Sequence, residues 1–238
     1  MHAYTATGAV LALLIVLAAI DGDASTALWL LLVALVIDGT DGMLARRFGV
    51  KEHLPWFDGA RLDDIVDYLT YVFAPVVLLL QTGHLPAGAA GTLVAALPLV
   101  ASSYQFCRVD AKSDESYFFF RGFPSYWNVV AFYAIALDLS PAVLTTVVVV
   151  CSLLVFVPIG YVYPSRTLQF RPLTLALTAV WLVAYAAVVA GLPQPHPFWL
   201  TLTLLYLVYY VGLSLHLETQ RRSAHRAPAP VDSVSTAA

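Results

Sequence analysis

With 60% of its 238 residues hydrophobic, 11% charged and a mean hydropathy of +0.79, the chain is too apolar for a soluble domain of its size. It reads as a polytopic membrane protein, and a net charge of −3 implies no nucleic-acid partner. Its two cysteines, Cys107 and Cys151, lie in or beside apolar runs, which excludes a disulfide framework or a thiolate metal site as the expected use.

Taken in chain order, the apolar runs give eight expected spans. The first covers about Ala3 to Ile20; it has no basic leading segment and reads as a retained span, not a cleaved signal peptide. The second runs from about Ser25 to Arg46, the third from Leu62 to Leu80 and the fourth from Pro86 to Phe106. Pro124, suited to a first helical turn, opens the fifth, which closes near Leu139 and is short for a span. Pro141 to Tyr161, Pro172 to Ala190 and Pro197 to Leu217 complete the set. The expected fold is an all-α transmembrane helix bundle, a single catalytic domain over 1–217. The tail 218–238, polar and rich in Ala, Pro and Ser, is expected to be disordered.

The basic residues test this count. Arg46, Arg47, Lys51 and Arg61 fall between spans two and three, and Arg108, Lys112 and Arg121 between four and five. Arg166 and Arg171 fall between six and seven, with Arg221, Arg222 and Arg226 in the tail. All twelve therefore share one side if there are eight spans, and the opposite breaks carry none. The positive-inside rule puts that side, and both termini, in the cytoplasm.

Four aspartates sit at the cytoplasmic ends of spans two and three. The segment reads Asp38-x-x-Asp41-Gly42-x-x-Ala45-Arg46, twelve residues, then Gly59-x-x-x-Asp63-x-x-x-Asp67. Spacings of three and four put each pair on one helix face, and antiparallel neighbours joined by a short loop bring the pairs together. Such a cluster is costly without a partner, and hard oxygen ligands favour Mg²⁺ or Mn²⁺; two ions would clamp a diphosphate. Gly42, Ala45 and Gly59 remove bulk where a nucleotide or another helix approaches, although small residues at helix contacts usually serve packing. Arg46 is placed to hold a phosphate oxygen, and alone reads equally as a topology anchor. Asp64 lies about 100° round the helix from Asp63 and reads as a solvated or interfacial charge.

This segment resembles the CDP-alcohol phosphatidyltransferase family, whose signature D-x-x-D-G-x-x-A-R, spacer, G-x-x-x-D-x-x-x-D it matches at every fixed position. The spacer departs from the pattern: twelve residues, Arg47 to Asp58, where most of the family has eight. That length, and the run Tyr117-Phe-Phe-Phe-Arg-Gly-Phe-Pro-Ser-Tyr-Trp-Asn128, resemble the bacterial branch that uses free choline. The resemblance implies attack by the choline hydroxyl on the lipid-side phosphorus of CDP-diacylglycerol, giving phosphatidylcholine and CMP. By that analogy Asp38, Asp41 and Asp63 ligate the metals, and Asp67 is a ligand or the general base. Asp38, Gly42, Ala45 and Gly59 would line the cytidine-diphosphate pocket with Arg46 on phosphate, and the active unit would be a homodimer.

Choline cannot donate a hydrogen bond from nitrogen, so aromatic faces are its natural holders. The stretch before span five offers Tyr117, Phe118, Phe119, Phe120, Phe123, Tyr126 and Trp127. Alone it reads as an interfacial aromatic belt; with the resemblance, Tyr126 and Trp127 are the expected cage. Arg121 meets lipid phosphate or merely obeys topology, Asn128 meets a substrate or a helix, and Asp110, Asp114 and Glu115 read as loop charges. Serine or another alcohol as acceptor, or CDP-choline as donor to diacylglycerol, are the neighbouring readings. A cation transporter is a different class. Against it, the acids cluster at one end, with only Asp138 near the other.

Overall fold

The computed structural model describes residues 1–108, 112–113, 119–164 and 166–226. Asp110, Asp114, Glu115, Tyr117 and Phe118 of the aromatic loop, and 227–238 of the expected tail, lie outside them. Helix α1 (His2–Ile20) and helix α2 (Ala24–Arg47) form an antiparallel pair. Asp23 caps α2: its carboxylate accepts the Thr26 hydroxyl at 2.6 Å and the Thr26 amide at 2.9 Å. These bonds, the hydroxyl's first, hold the Asp23 carboxyl below its ordinary value.

A single helical turn, α3 (Val50–His53), precedes α4 (Gly59–Asp67), whose cap Asp58 accepts the Arg61 amide at 3.0 Å. From α4 the chain runs without a break through a π-helical stretch (Tyr68–Phe73) into α5 (Ala74–Gln81). The expected third span is this composite. Then come α6 (Ala89–Cys107), strands β1 (Lys112–Ser113) and β2 (Phe119–Arg121), α7 (Trp127–Ala136), α8 (Pro141–Leu154) and β3 (Gly160–Val162). The chain closes with α9 (Arg171–Ala190) and α10 (Pro197–Arg226). Helices α1, α2, α6, α9 and α10 are each long and apolar enough to cross a membrane, and α7 and α8 are shorter apolar helices. The protein is an integral membrane helix bundle.

The all-helical expectation misses a small antiparallel sheet, ordered β1-β2-β3, with Phe120 opposite Tyr161 and Arg121 opposite Gly160. It also shortens the sixth expected span. Helix α8 stops at Leu154, where the Phe123 amide takes the Leu154 carbonyl at 3.0 Å and the Gly122 amide takes that of Ile159 at 2.9 Å. Gly122, at φ +82°, lies against the Val155 carbonyl so closely that a Cβ there would collide.

Helix α10 covers the other edge of β3 with side chains four residues apart. The Tyr210 hydroxyl donates to the Val162 carbonyl at 3.0 Å, Ser214 Oγ accepts the Val162 amide at 3.0 Å, and Glu218 accepts the Gly160 amide at 3.2 Å. An uncovered edge on so buried a strand would leave polar backbone without water, so the helix face is matched to the strand. The disordered tail expected from residue 218 is corrected accordingly. Glu218, only 4% exposed, takes Arg221 at 3.0 Å and Arg222 at 2.6 Å, and these bonds carry the helix on to Arg226.

Antiparallel spans two and three were expected to bring their acids together as direct neighbours. Instead α1 packs against both α2 and the α4–α5 helix, meeting the latter at Gly8, where the Val66 side chain leaves no room for a Cβ. Gly8→Val should therefore cost about 1–3 kcal/mol through overpacking. Thermal unfolding in detergent is expected to show that loss, while Gly212→Ala, where a Cβ meets nothing within 4 Å, leaves the midpoint unchanged.

Candidate active site

The last turns of α2 and the short helix α4, in its middle and at its end, carry the acids. One carboxylate oxygen from each of Asp38, Asp63 and Asp67 lies within 4.8 Å of the other two, and all three residues are half-buried. Three like charges this close repel, and a divalent cation relieves that repulsion. The donors are all hard oxygen, which fits Mg²⁺ or Mn²⁺ and not a thiolate- or imidazole-seeking ion.

Asp41 stands apart from this trio. It is 6% exposed and accepts the Thr5 hydroxyl of α1 at 2.7 Å. Asp64 is outside the trio as well, as its place on the helix predicts. Asp38 takes a second kind of partner: the Tyr71 hydroxyl donates to its Oδ2 at 2.5 Å.

The small residues have visible neighbours. At Gly42 a Cβ would lie 3.3 Å from Arg46 Nη1, so the exposed Arg46 side chain folds back over the glycine one turn before it. At Gly59 a Cβ would lie 2.8 Å from His2 Cε1, and the His2 ring packs on Phe57 with centroids 4.1 Å apart. Gly59 thus admits the first turn of α1, the packing use of a small residue. Ala45 is half-buried in the same last turns of α2.

Tyr126, the N-cap of α7, is half-buried at the centre of an aromatic group. Its ring centroid is 6.0 Å from Tyr71, 6.1 Å from Phe120 and 6.3 Å from Tyr210. Trp127, the other residue of the expected pair, takes a different place. Trp127 is fully buried, its indole donates to Ser102 Oγ at 2.8 Å, and its ring packs on Phe123 at 5.2 Å. Successive residues at a helix start diverge by about 100°, so one enters the aromatic group and the next the core. Arg121 lies in β2, and its carbonyl accepts Gln105 Nε2 at 3.3 Å. Gln105 also receives the Ser125 hydroxyl, which fixes the left-handed turn at Ser125 (φ 57°) before α7. Asn128 uses its Oδ1 on the Val129 amide at 2.9 Å, a local role.

Two partners of the carboxylates carry different amounts of warning in the sequence. Tyr71 is four residues beyond Asp67 and eight beyond Asp63, a spacing that places it near the acidic face without fixing it there. Thr5 lies 36 residues from Asp41 on another helix, and no local pattern connects them.

No protein-family model matches the chain. It is 42% identical to the phosphatidylcholine synthase of Pseudomonas aeruginosa over 215 residues, 90% of this chain and 89% of the relative. It is 37% identical to that of Legionella pneumophila over 223 residues (91% and 86%), and 31% identical to that of Borreliella burgdorferi over 225 residues (94% and 95%). The chain belongs to the phosphatidylcholine synthase family and is an enzyme of that family.

Proposed function

We propose that the chain is a CDP-diacylglycerol–choline phosphatidyltransferase working at the cytoplasmic face of a bacterial inner membrane. The observation that carries this reading is the convergence of Asp38, Asp63 and Asp67 at the end of a membrane bundle whose relatives make phosphatidylcholine by name. The choline hydroxyl attacks the lipid-side phosphorus. One P–O bond forms to choline, the P–O bond to CMP breaks, and CMP leaves with that electron pair. Asp67 accepts the hydroxyl proton or serves as a ligand.

Asp38, Asp41, Asp63 and Asp67 are the residues that would hold two divalent ions, Mn²⁺ or Mg²⁺. Bound there, the ions neutralise the diphosphate and its developing charge. Asp38, Gly42, Ala45 and Gly59 border the cytidine diphosphate, and Arg46, exposed in the last turn of α2, reaches a phosphate oxygen. Tyr126, with Phe120 and Tyr210, presents ring faces to the quaternary ammonium, and Arg121 serves lipid phosphate. The twelve cationic residues assigned to one side of eight spans support the cytoplasmic orientation. The working unit is a homodimer in surrounding lipid.

Purified protein with Mn²⁺ should be given CDP-diacylglycerol plus labelled choline, CDP-diacylglycerol plus labelled serine, and labelled CDP-choline plus diacylglycerol. The expected result is labelled phosphatidylcholine with CMP released in the first reaction alone. Product from serine only, or from CDP-choline only, would overturn the acceptor or the donor respectively.

A further inference from the structure

We propose that Tyr71 is a positioning residue that joins the two halves of the site. Its hydroxyl fixes Asp38, and its ring forms a wall of the pocket for the quaternary ammonium. The second half of this proposal rests on the choline reading above, whereas the first depends only on metal binding by the carboxylates.

The geometry begins with the backbone. In an α-helix four residues overshoot a full turn by about 40°, so Asp67 is already displaced round the helix from Asp63. A second α-helical step of four would carry Tyr71 further round. The π-helical stretch starts at Tyr68, and its wider turn makes the same four residues fall short of a full turn. The drift reverses, and Tyr71 returns toward the face that carries Asp63. A π-helical insertion directly after a metal-binding acid has this consequence whatever its origin.

The side chain then meets both groups. Tyr71 is 6% exposed, and its hydroxyl donates to Asp38 Oδ2 at 2.5 Å, the length of a charge-assisted bond between a hydroxyl and a carboxylate. A buried phenol needs such a partner, and Asp38 gains a fixed rotamer in return. An ionised carboxylate has about four acceptor sites, so this bond does not by itself prevent Asp38 from ligating a cation. Groups that orient a ligand in this way are worth about 10–100-fold in metal affinity or activity.

The Tyr71 ring neighbours that of Tyr126, with centroids 6.0 Å apart and the planes tilted by 38°. A phenol that donates to an anionic carboxylate becomes more electron-rich, which strengthens its attraction for a cation over the ring. The alcohol of choline is two carbons from its nitrogen. A cation seated against Tyr71 and Tyr126 therefore brings its hydroxyl to the carboxylates and no further. Specificity and chemistry would share one side chain.

The test uses the full-length protein and three variants: Tyr71→Phe, Tyr71→Leu and, as a control for ligand loss, Asp38→Asn. Mn²⁺ binding without substrates is followed by the electron paramagnetic resonance of free Mn²⁺. Tyr71→Phe is expected to bind Mn²⁺ about 10–100-fold more weakly than wild type, with the thermal midpoint in EDTA unchanged. It should lower kcat, raise the choline KM less than Tyr71→Leu does, since the ring remains, and recover kcat as Mn²⁺ is raised. Tyr71→Leu should in addition raise the choline KM about 2–30-fold, the span of a cation–π contact. Unchanged Mn²⁺ affinity in Tyr71→Phe, or failure of high Mn²⁺ to restore kcat, overturns the positioning role. A choline KM that Tyr71→Leu does not move overturns the pocket role. If wild type uses serine and not choline, the acceptor reading fails by itself, and the Mn²⁺ arm still decides whether Tyr71 orients Asp38.

Discussion

Asp63→Asn is expected to abolish turnover, with kcat falling by more than about 100-fold, since even groups that merely orient a metal ligand are worth 10–100-fold. Asp64→Asn, the neighbouring residue with the same chemistry, should retain activity within about threefold, as a substitution away from buried networks changes free energy by roughly ±0.5 kcal/mol. The contrast follows from the helix. Asp63 contributes an oxygen to the group with Asp38 and Asp67, whereas Asp64, about 100° round the helix, is not part of that group. The amide variants conserve shape, so loss of charge is isolated from loss of packing. Phosphatidylcholine formation from CDP-diacylglycerol and choline gives the readout, alongside Mn²⁺ binding without substrate. Equal loss of activity in both variants would place the working face of α4 elsewhere. Full activity in Asp63→Asn would remove the carboxylate trio from the chemistry altogether.

The trio was legible because its signal is local. Asp38 near the end of one apolar run, and Asp63 and Asp67 four apart at the start of another, need only helical periodicity and an antiparallel return to meet. The bundle was legible for the same reason, since span-length apolar runs state their own structure. What periodicity does not carry is the order in which helices pack. Gly8 on Val66 and Thr5 on Asp41 put α1 beside both acidic helices, and those pairings depend on shape complementarity between distant segments. The sheet was illegible because β2 lies in an aromatic stretch that reads as an interfacial belt, and because β3 is completed by side chains of α10. Glu218 shows the same limit. Its surroundings in sequence are those of a polar tail, yet Gly160, Arg221 and Arg222 supply partners to its buried carboxylate.

Trp127→Ala should destabilise the protein severely and should not act as a selective loss of choline affinity. The indole is fully buried in the core that also contains Phe132 and Ala131, and its nitrogen satisfies Ser102. Truncating a buried Trp or Phe costs about 3–5 kcal/mol in water-soluble proteins, as a transfer part plus a cavity part. Within a membrane bundle the transfer part shrinks, because lipid is as apolar as the core, and the packing part stays. The lower end, about 3 kcal/mol, is therefore the expected cost. The hydroxyl of Ser102 also loses its donor, which Trp127→Phe tests with a smaller volume change. That variant should lose about 1 kcal/mol and keep the choline KM. Thermal unfolding in detergent reads the stability, and the choline KM of the surviving fraction reads the site. A Trp127→Ala protein with a normal thermal midpoint and a raised choline KM would return Trp127 to the pocket, and the buried position of its ring would then describe only the substrate-free state. A lowered midpoint with an unchanged KM leaves Tyr126, one residue earlier and facing the other way, as the aromatic of this dipeptide that meets choline.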